Sequence, residues 1–252
     1  MSDIQASEAP ASEAGSLNTD GRTVGPGRGW DWIVEAWALF RKQPGIWILL
    51  AVVLGVLCIA IGMIPVLGSL ANALLLPIFG AGLMLGCKAQ DQGGALEIAH
   101  LFAGFKQRTG DLVLVGVFNL VAWVVIVLLV IAVVGAGAFT AMLHGGERGA
   151  GIPMLSMLLG LLLIAALSLP VYMATWFAPA LIVLHEMPPV AALKASFYGC
   201  LRNWLPFLVY GVVLFVFCLV AAIPAGLGFL VLVPVIAASV YTAYRDIFRS
   251  GT

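Results

Sequence analysis

Charge is what this sequence lacks. Twelve basic and twelve acidic residues make 10% of the 252-residue chain, against about 25% in an ordinary soluble domain. With 62% of the residues hydrophobic, too little polar surface remains to cover a core in water, so the natural solvent is lipid. The formal net charge is zero, which gives no electrostatic reason to expect a nucleic-acid partner. Cysteine is scarce too. Cys58, Cys87, Cys200 and Cys218 form no CxxC pair and no His-Cys cluster, so neither a disulfide framework nor a metal site is expected. The three histidines, His100, His144 and His185, are widely spaced and lack a paired-carboxylate motif. No catalytic residue, cofactor or metal is expected, and the chain is not expected to be an enzyme.

What is present is long apolar sequence. Residues 43–87, 112–146, 149–185 and 203–244 contain no Asp, Glu, Lys or Arg. A membrane-spanning helix needs about 20 apolar residues, so the 45-residue and 42-residue runs must each turn back. Each holds a turn near its middle, "IPVLGS" at 64–69 and "IPAGLG" at 223–228. Six spans are predicted, near 46–66, 69–87, 112–134, 154–183, 205–223 and 227–244. The fourth is long and carries Pro170 and Pro179, where a kink or tilt is expected.

An even number of spans puts both termini on one side. Arg22, Arg28, Arg41, Lys42, Lys88, Lys106, Arg108, Lys194, Arg202, Arg245 and Arg249 then share that side, and Arg148 alone lies opposite. Basic residues near span ends mark the cytoplasmic face. The expected location is a cytoplasmic membrane with both termini inside. Residues 1–29 are rich in Ser, Ala, Glu and Gly and read as a solvated, disordered cytoplasmic tail; residues 30–249 form the six-span domain.

The chain also matches itself. "AWALFRKQPGIWILL" at 36–50 aligns with "LFAGFKQRTGDLVLV" at 101–115 and with "ASFYGCLRNWLPFLV" at 195–209. Downstream, "LPIFGAGLMLGCKA" at 76–89 aligns with "LPVYMATWFAPALI" at 169–182 and "VPVIAASVYTAYRD" at 233–246, placing Pro77, Pro170 and Pro234 together. The expected fold is all-α: three parallel-repeat hairpins, each an interfacial amphipathic helix followed by a span, a turn and a proline-bearing, kinked span. Such parallel repeats differ from the inverted repeats of many secondary transporters.

In the first unit, Trp30, Ile33, Val34, Trp37 and Phe40 recur at helical spacing, with Asp31, Glu35, Ala38 and Lys42 on the other face. That pattern suits a helix lying in the headgroup layer. The second unit offers Leu101, Phe102 and Phe105 against Glu97, His100 and Lys106. The third offers Val190, Leu193, Phe197 and Trp204 against Lys194 and Arg202. Trp30, Trp37, Arg41, Lys42, Lys106, Arg108, Lys194 and Arg202 are the candidate lipid-headgroup contacts. His185-Glu186 reads as an interfacial cap or turn, and Asp246 beside Arg245 as a local ion pair or helix-end contact. Asn72, Asn119, Ser168, Thr175 and Ser239 are the polar groups at membrane depth, expected to bond between helices or to backbone. "GLMLG" at 82–86 fits close packing through small residues.

The stretches "GRGWDWIVEAWALFRKQPGIWI" at 27–48, "WFAPALIVLHEMPPVAALKASFYGCLRNWLPFL" at 176–208 and "SVYTAYRDIF" at 239–248 together resemble a family of bacterial multi-pass membrane proteins. The resemblance covers about residues 27 to 248. It is more distant to YciC-like proteins and to the membrane domain fused to some glycerophosphodiester phosphodiesterases, whose catalytic barrel has no counterpart here. It implies a bacterial inner membrane and six helices, and it carries over no functional residues. The function expected is non-enzymatic binding of membrane lipids or of a membrane or cytoplasmic protein partner. The alternative is a transporter or flippase for an apolar or amphipathic small molecule.

Overall fold

The computed structural model describes residues 18, 19, 21–144 and 152–249. Residues 1–17, most of the expected tail, lie outside the described residues, as does Arg148. The described residues are mostly helical, and none of them forms a strand. In order come α1 (Arg28–Lys42), α2 (Pro44–Gly62), α3 (Leu67–Asp91), a 3-10 helix (Ile98–Phe105), α4 (Thr109–His144), α5 (Ile152–Trp176), α6 (Ala178–His185), α7 (Pro189–Arg202), α8 (Trp204–Ala222) and α9 (Phe229–Phe248).

Six stretches are long and apolar enough to cross a membrane: α2, α3, α4, the α5–α6 stretch, α8 and α9. Apolar residues occupy every face of these helices, which is the composition of a helix meeting lipid or other helices all round. The α2–α3 and α8–α9 connections fall at the two expected turns. Burial sorts the six. About 61% of α9 is buried within its most apolar window but only 6% of α4. Thus α9 and α3 form the centre, while α2, α4 and α8 present mostly lipid-facing surface. The largest packed pair is α4 with α5; α1 lies on α9 and α8, and α3 lies on α4 and the 3-10 helix.

Two spans differ from their expected form. The third was expected over 112–134, but α4 runs unbroken through 36 residues to His144. At about 1.5 Å per residue that is roughly 54 Å, well over the ~30 Å hydrocarbon layer. Apolar character falls off gradually past residue 134, so composition alone gives no stop signal. The fourth span, expected to kink or tilt at Pro170 and Pro179, breaks at Phe177 beside Pro179, while Pro170 sits inside α5. Pro179 has no N–H to offer Thr175. Ser196 of α7 bridges the rung two residues earlier: its hydroxyl accepts from Phe177 N–H at 2.9 Å and donates to Met173 carbonyl at 2.7 Å. A side chain inserted into the helical ladder is a recognised cause of such a break. Pro77 and Pro234 also lie inside continuous helices.

The buried aromatic core sits at the end of the molecule that holds both α1 and the last turns of α3 and α9. Trp32, Trp47, Phe177, Tyr241, Tyr244 and Phe248 are its largest members. The small residues of "GLMLG" contribute a close approach here. A Cβ on Gly82 would stand 2.4 Å from the His100 carbonyl, so α3 meets the 3-10 helix backbone to backbone.

Candidate functional site

The last carbonyls of any helix lack intrahelical partners. At the C-terminus of α9 they are claimed by the opposite end of the chain. Asn18 N–H donates to Phe248 carbonyl and Arg22 N–H to Ile247 carbonyl, both at 2.9 Å. Asn203, buried between α7 and α8, holds the same segment: its amide donates to Arg22 carbonyl at 3.0 Å and accepts from Val24 N–H at 2.8 Å. Gly21 makes this approach with a left-handed backbone (φ +66°) against Gly199, Ile247 and Phe248. Residues 21–28, part of the stretch expected to be a solvated tail, are therefore pinned across α7, α8 and α9.

Charged side chains extend this seam into an alternating chain. Asp246, only 5% exposed, accepts from Arg28 Nε at 2.6 Å and from Trp32 Nε1 at 2.9 Å, and is paired with Arg22. Arg28 also reaches Glu35 at 3.0 Å; Glu35 accepts from Arg245 at 2.8 Å; Arg245 pairs with Asp91, which accepts from Tyr241 hydroxyl at 3.1 Å. Burial works against the Arg28 cation, but Asp246 and Glu35 outweigh it and hold its pKa above the ordinary guanidinium value. The sequence reading gave Asp246 a local ion pair or a helix-end contact; its carboxylate ties the end of α9 to Arg22, Arg28 and Trp32 and makes no pair with Arg245. Neighbouring helix residues point about 100° apart, so the two take different partners, all of them distant in sequence. With Asp246, Glu35 and Asp91 each held by cations or N–H and O–H donors, the network acts as an electrostatic clamp joining α1, α3 and α9.

The opening helix is amphipathic on two sides rather than one. Trp32, Ile33, Ala36, Leu39 and Phe40 face the protein core. Trp30 and Trp37 stay 47% and 43% exposed, in line with Val34 and Arg41. The sequence reading placed Ile33 and Phe40 on the lipid side with the tryptophans. A helix wedged between protein and lipid needs apolar residues toward both, and periodicity cannot say which neighbour each face has.

The other candidate contacts divide in the same way. Arg41, Lys106 and Lys194 are exposed and make no ion pair with any described residue. Lys42 donates to Gln90 carbonyl at 3.2 Å, Arg108 pairs with Asp111 at 2.6 Å, and Arg202 reaches Gly21 carbonyl at 3.4 Å. The second segment is a 3-10 helix with Leu101 buried and Phe102 and Phe105 outward. In the third, Trp204 belongs to α8 rather than to α7.

The intramembrane polar groups find partners close by. Asn72 donates to Cys58 carbonyl at 3.0 Å across the α2–α3 hairpin, Ser168 and Thr175 bond within α5, and Ser239 bonds Tyr210 hydroxyl at 2.6 Å. Asn119 is half-buried on α4. His185 closes α6 and bonds Tyr244 hydroxyl, with Glu186 in the left-handed conformation as its C-cap. Among the described residues, no three His, Cys, Asp or Glu side chains gather as a metal site.

Beside the clamp lies an apolar groove of about 590 Å³. Leu169, Tyr172, Met173 and Trp176 of α5 form one wall. Trp204, Phe207, Leu208, Gly211 and Leu214 of α8 form the other, with Tyr210 and Cys200 at its base. Behind the floor, the Trp32 ring packs on Phe207 and Tyr210 at centroid distances of 5.2 and 6.1 Å, so the clamp backs directly onto the groove lining.

Six apolar spans around a core concentrated at one end define a multi-pass α-helical membrane protein. The chain is similar to a probable inner membrane protein of Burkholderia thailandensis, with 29% identity over 242 residues, 88% of this chain and 89% of that protein. No family model matches it, and no solved structure does. The likeness to YciC-like proteins and to the phosphodiesterase membrane domain rests on the quoted motifs alone.

Proposed function

We propose that the protein is a non-enzymatic component of a bacterial inner membrane that binds anionic lipid headgroups along its cytoplasmic face. One observation carries this reading: each short segment before a span presents an outward apolar stripe together with one exposed, unpaired cation. On α1 the stripe is Trp30, Val34 and Trp37 with Arg41. On the 3-10 helix it is Ile98, Phe102 and Phe105 with Lys106. On α7 it is Val190, Tyr198 and Leu201 with Lys194. Aromatic and aliphatic side chains settle at the acyl boundary while cations stay at phosphate level. Each such cation is worth about 1 kcal/mol near an anionic surface.

Three further features belong to the proposal. The order of short helix, apolar helix and proline-bearing helix occurs three times along the chain, which supports three parallel repeats. The similar inner membrane protein supports the location. The basic bias supports cytoplasmic termini. A protein partner on the same stripes is the competing occupant. A transporter would need a passage from face to face, and the groove between α5 and α8 runs along only ~15 Å of α8.

The test is to excise the protein with its surrounding lipid into polymer nanodiscs and to quantify the lipid classes. Phosphatidylglycerol and cardiolipin should be enriched over the bulk membrane. Arg41→Gln, Lys106→Gln and Lys194→Gln together should remove most of that enrichment. Unchanged enrichment in the triple variant overturns the reading, and a protein that co-purifies with the wild type but not with the variant replaces it with the partner reading.

A further inference from the structure

We infer that the groove between α5 and α8 is a seat for a single acyl chain of a membrane lipid from the leaflet on the Trp204 side. This reaches beyond headgroup binding. It rests on the membrane placement of α5 and α8 and not on the exposed cations.

The groove follows from the sequence. On α8, Trp204, Phe207, Leu208, Gly211 and Leu214 fall at i, i+3, i+4, i+7 and i+10, a single helical face. On α5, Leu169, Tyr172, Met173 and Trp176 fall at i, i+3, i+4 and i+7. The two faces look at each other across a gap, because α5 packs on α4 and α7 while α8 packs on α1, α9 and α7. Gly211 lines the gap with open space in front of it: an added Cβ would meet nothing within 4 Å, so a larger side chain there has room to extend into the groove.

Dimensions select the occupant. Trp204 begins α8, and Leu214 lies ten residues further in, about 15 Å at the helical rise. That is half of the ~30 Å hydrocarbon layer, the depth of one leaflet. Spread over that length, 590 Å³ gives a cross-section of about 40 Å², roughly a third to a half of that of a helix about 10–12 Å across. A helix from a second copy would seat only a ridge of side chains there and leave its backbone outside. The groove is apolar along its length, so a polar ligand would lose its hydration without compensation. A flexible hydrocarbon chain fits width, length and polarity together. Trp204 at the mouth presents an amphipathic ring where chain meets headgroup.

The experiment uses the full-length protein in vesicles containing phosphatidylglycerol that carries a diazirine at mid-chain. After irradiation, peptide mapping should place adducts on residues 169–176 and 204–214 several-fold above the lipid-facing residues 121–131 of α4. Gly211→Leu fills the seat without touching Arg41, Lys106 or Lys194. It should lower adducts in the groove at least fivefold and leave the headgroup enrichment unchanged. Leu208→Phe, which narrows the groove from the same wall, serves if Gly211→Leu is poorly folded. Adducts spread evenly over the outward helices, or equal labelling in the filled variants, overturn the acyl seat. Headgroup enrichment lost by the cation triple variant while groove labelling persists shows that the two sites stand or fall separately.

Discussion

Asp246→Ala tests the clamp directly. The carboxylate receives Arg22, Arg28 and the Trp32 indole, and their burial sets what each loss costs. Trp32 is fully buried, so its N–H would be left without a partner, a penalty of about 1–3 kcal/mol. Arg28 is one-third exposed and keeps Glu35 and Asp31. Arg22 is half exposed and keeps its bond to the Asp246 backbone carbonyl. Each of those pairs is worth about 0–1 kcal/mol once water screening is included. The total is about 1–5 kcal/mol, and at about 2–4 °C per kcal/mol for a chain of this size the midpoint should fall by roughly 2–20 °C. The assay is thermal unfolding in detergent micelles followed by intrinsic fluorescence. Trp32→Phe closes a double-mutant cycle, and its coupling to Asp246→Ala should be about 1 kcal/mol or more, since contacting residues do not act additively. A shift below about 1 °C, or strict additivity in the cycle, would refute the assignment of Asp246 as the anchor of α1.

Other consequences are open to measurement. Ser196→Ala removes both partners of the α5–α6 break and should cost about 1–3 kcal/mol; a loss under ~0.5 kcal/mol would mean that the backbone recloses without the hydroxyl. Gly29→Ala places a Cβ 2.2 Å from the Pro206 carbonyl and should destabilise by about 1–3 kcal/mol through overpacking. Gly55→Ala, where nothing lies within 4 Å, should be neutral or stabilising by up to ~1 kcal/mol; equal effects at the two sites would show that α1 and α8 do not meet as described. Lys106→Cys should react with a membrane-impermeant maleimide only in inside-out vesicles and Met63→Cys only in right-side-out ones. The reverse pattern inverts the topology.

Much of this architecture is a property of composition. Lipid tolerates a spanning segment only if its backbone is internally bonded, so a charge-free run of the right length must be a helix, and the prolines and glycines at 64–69 and 223–228 say where it turns. For this reason the number of membrane-capable helices and their turns were legible before any coordinates. The ends of α4 were not, because apolar sequence continues past the point where the bilayer would stop.

The outward positions of Trp30, Trp37, Arg41, Lys106 and Lys194 follow the aromatic and basic pattern beside the spans. The clamp was not legible in the sequence. Asp246 is one acid in a short basic-acidic pair, and nothing local marks Arg28 or Trp32, more than two hundred residues away, as its partners. Only a conserved pairing pattern across many sequences, or the fold itself, could signal it. The same holds for α1, whose apolar residues divide between protein and lipid, and for Ser196, an unremarkable serine until Pro179 breaks the helix opposite it. Solubility in lipid is decided residue by residue along the chain, so the sequence by itself determined that this is a multi-span helical protein. Which apolar face meets another helix, which meets lipid, and which charges cancel depends on contacts between distant segments, and those only the tertiary structure decided.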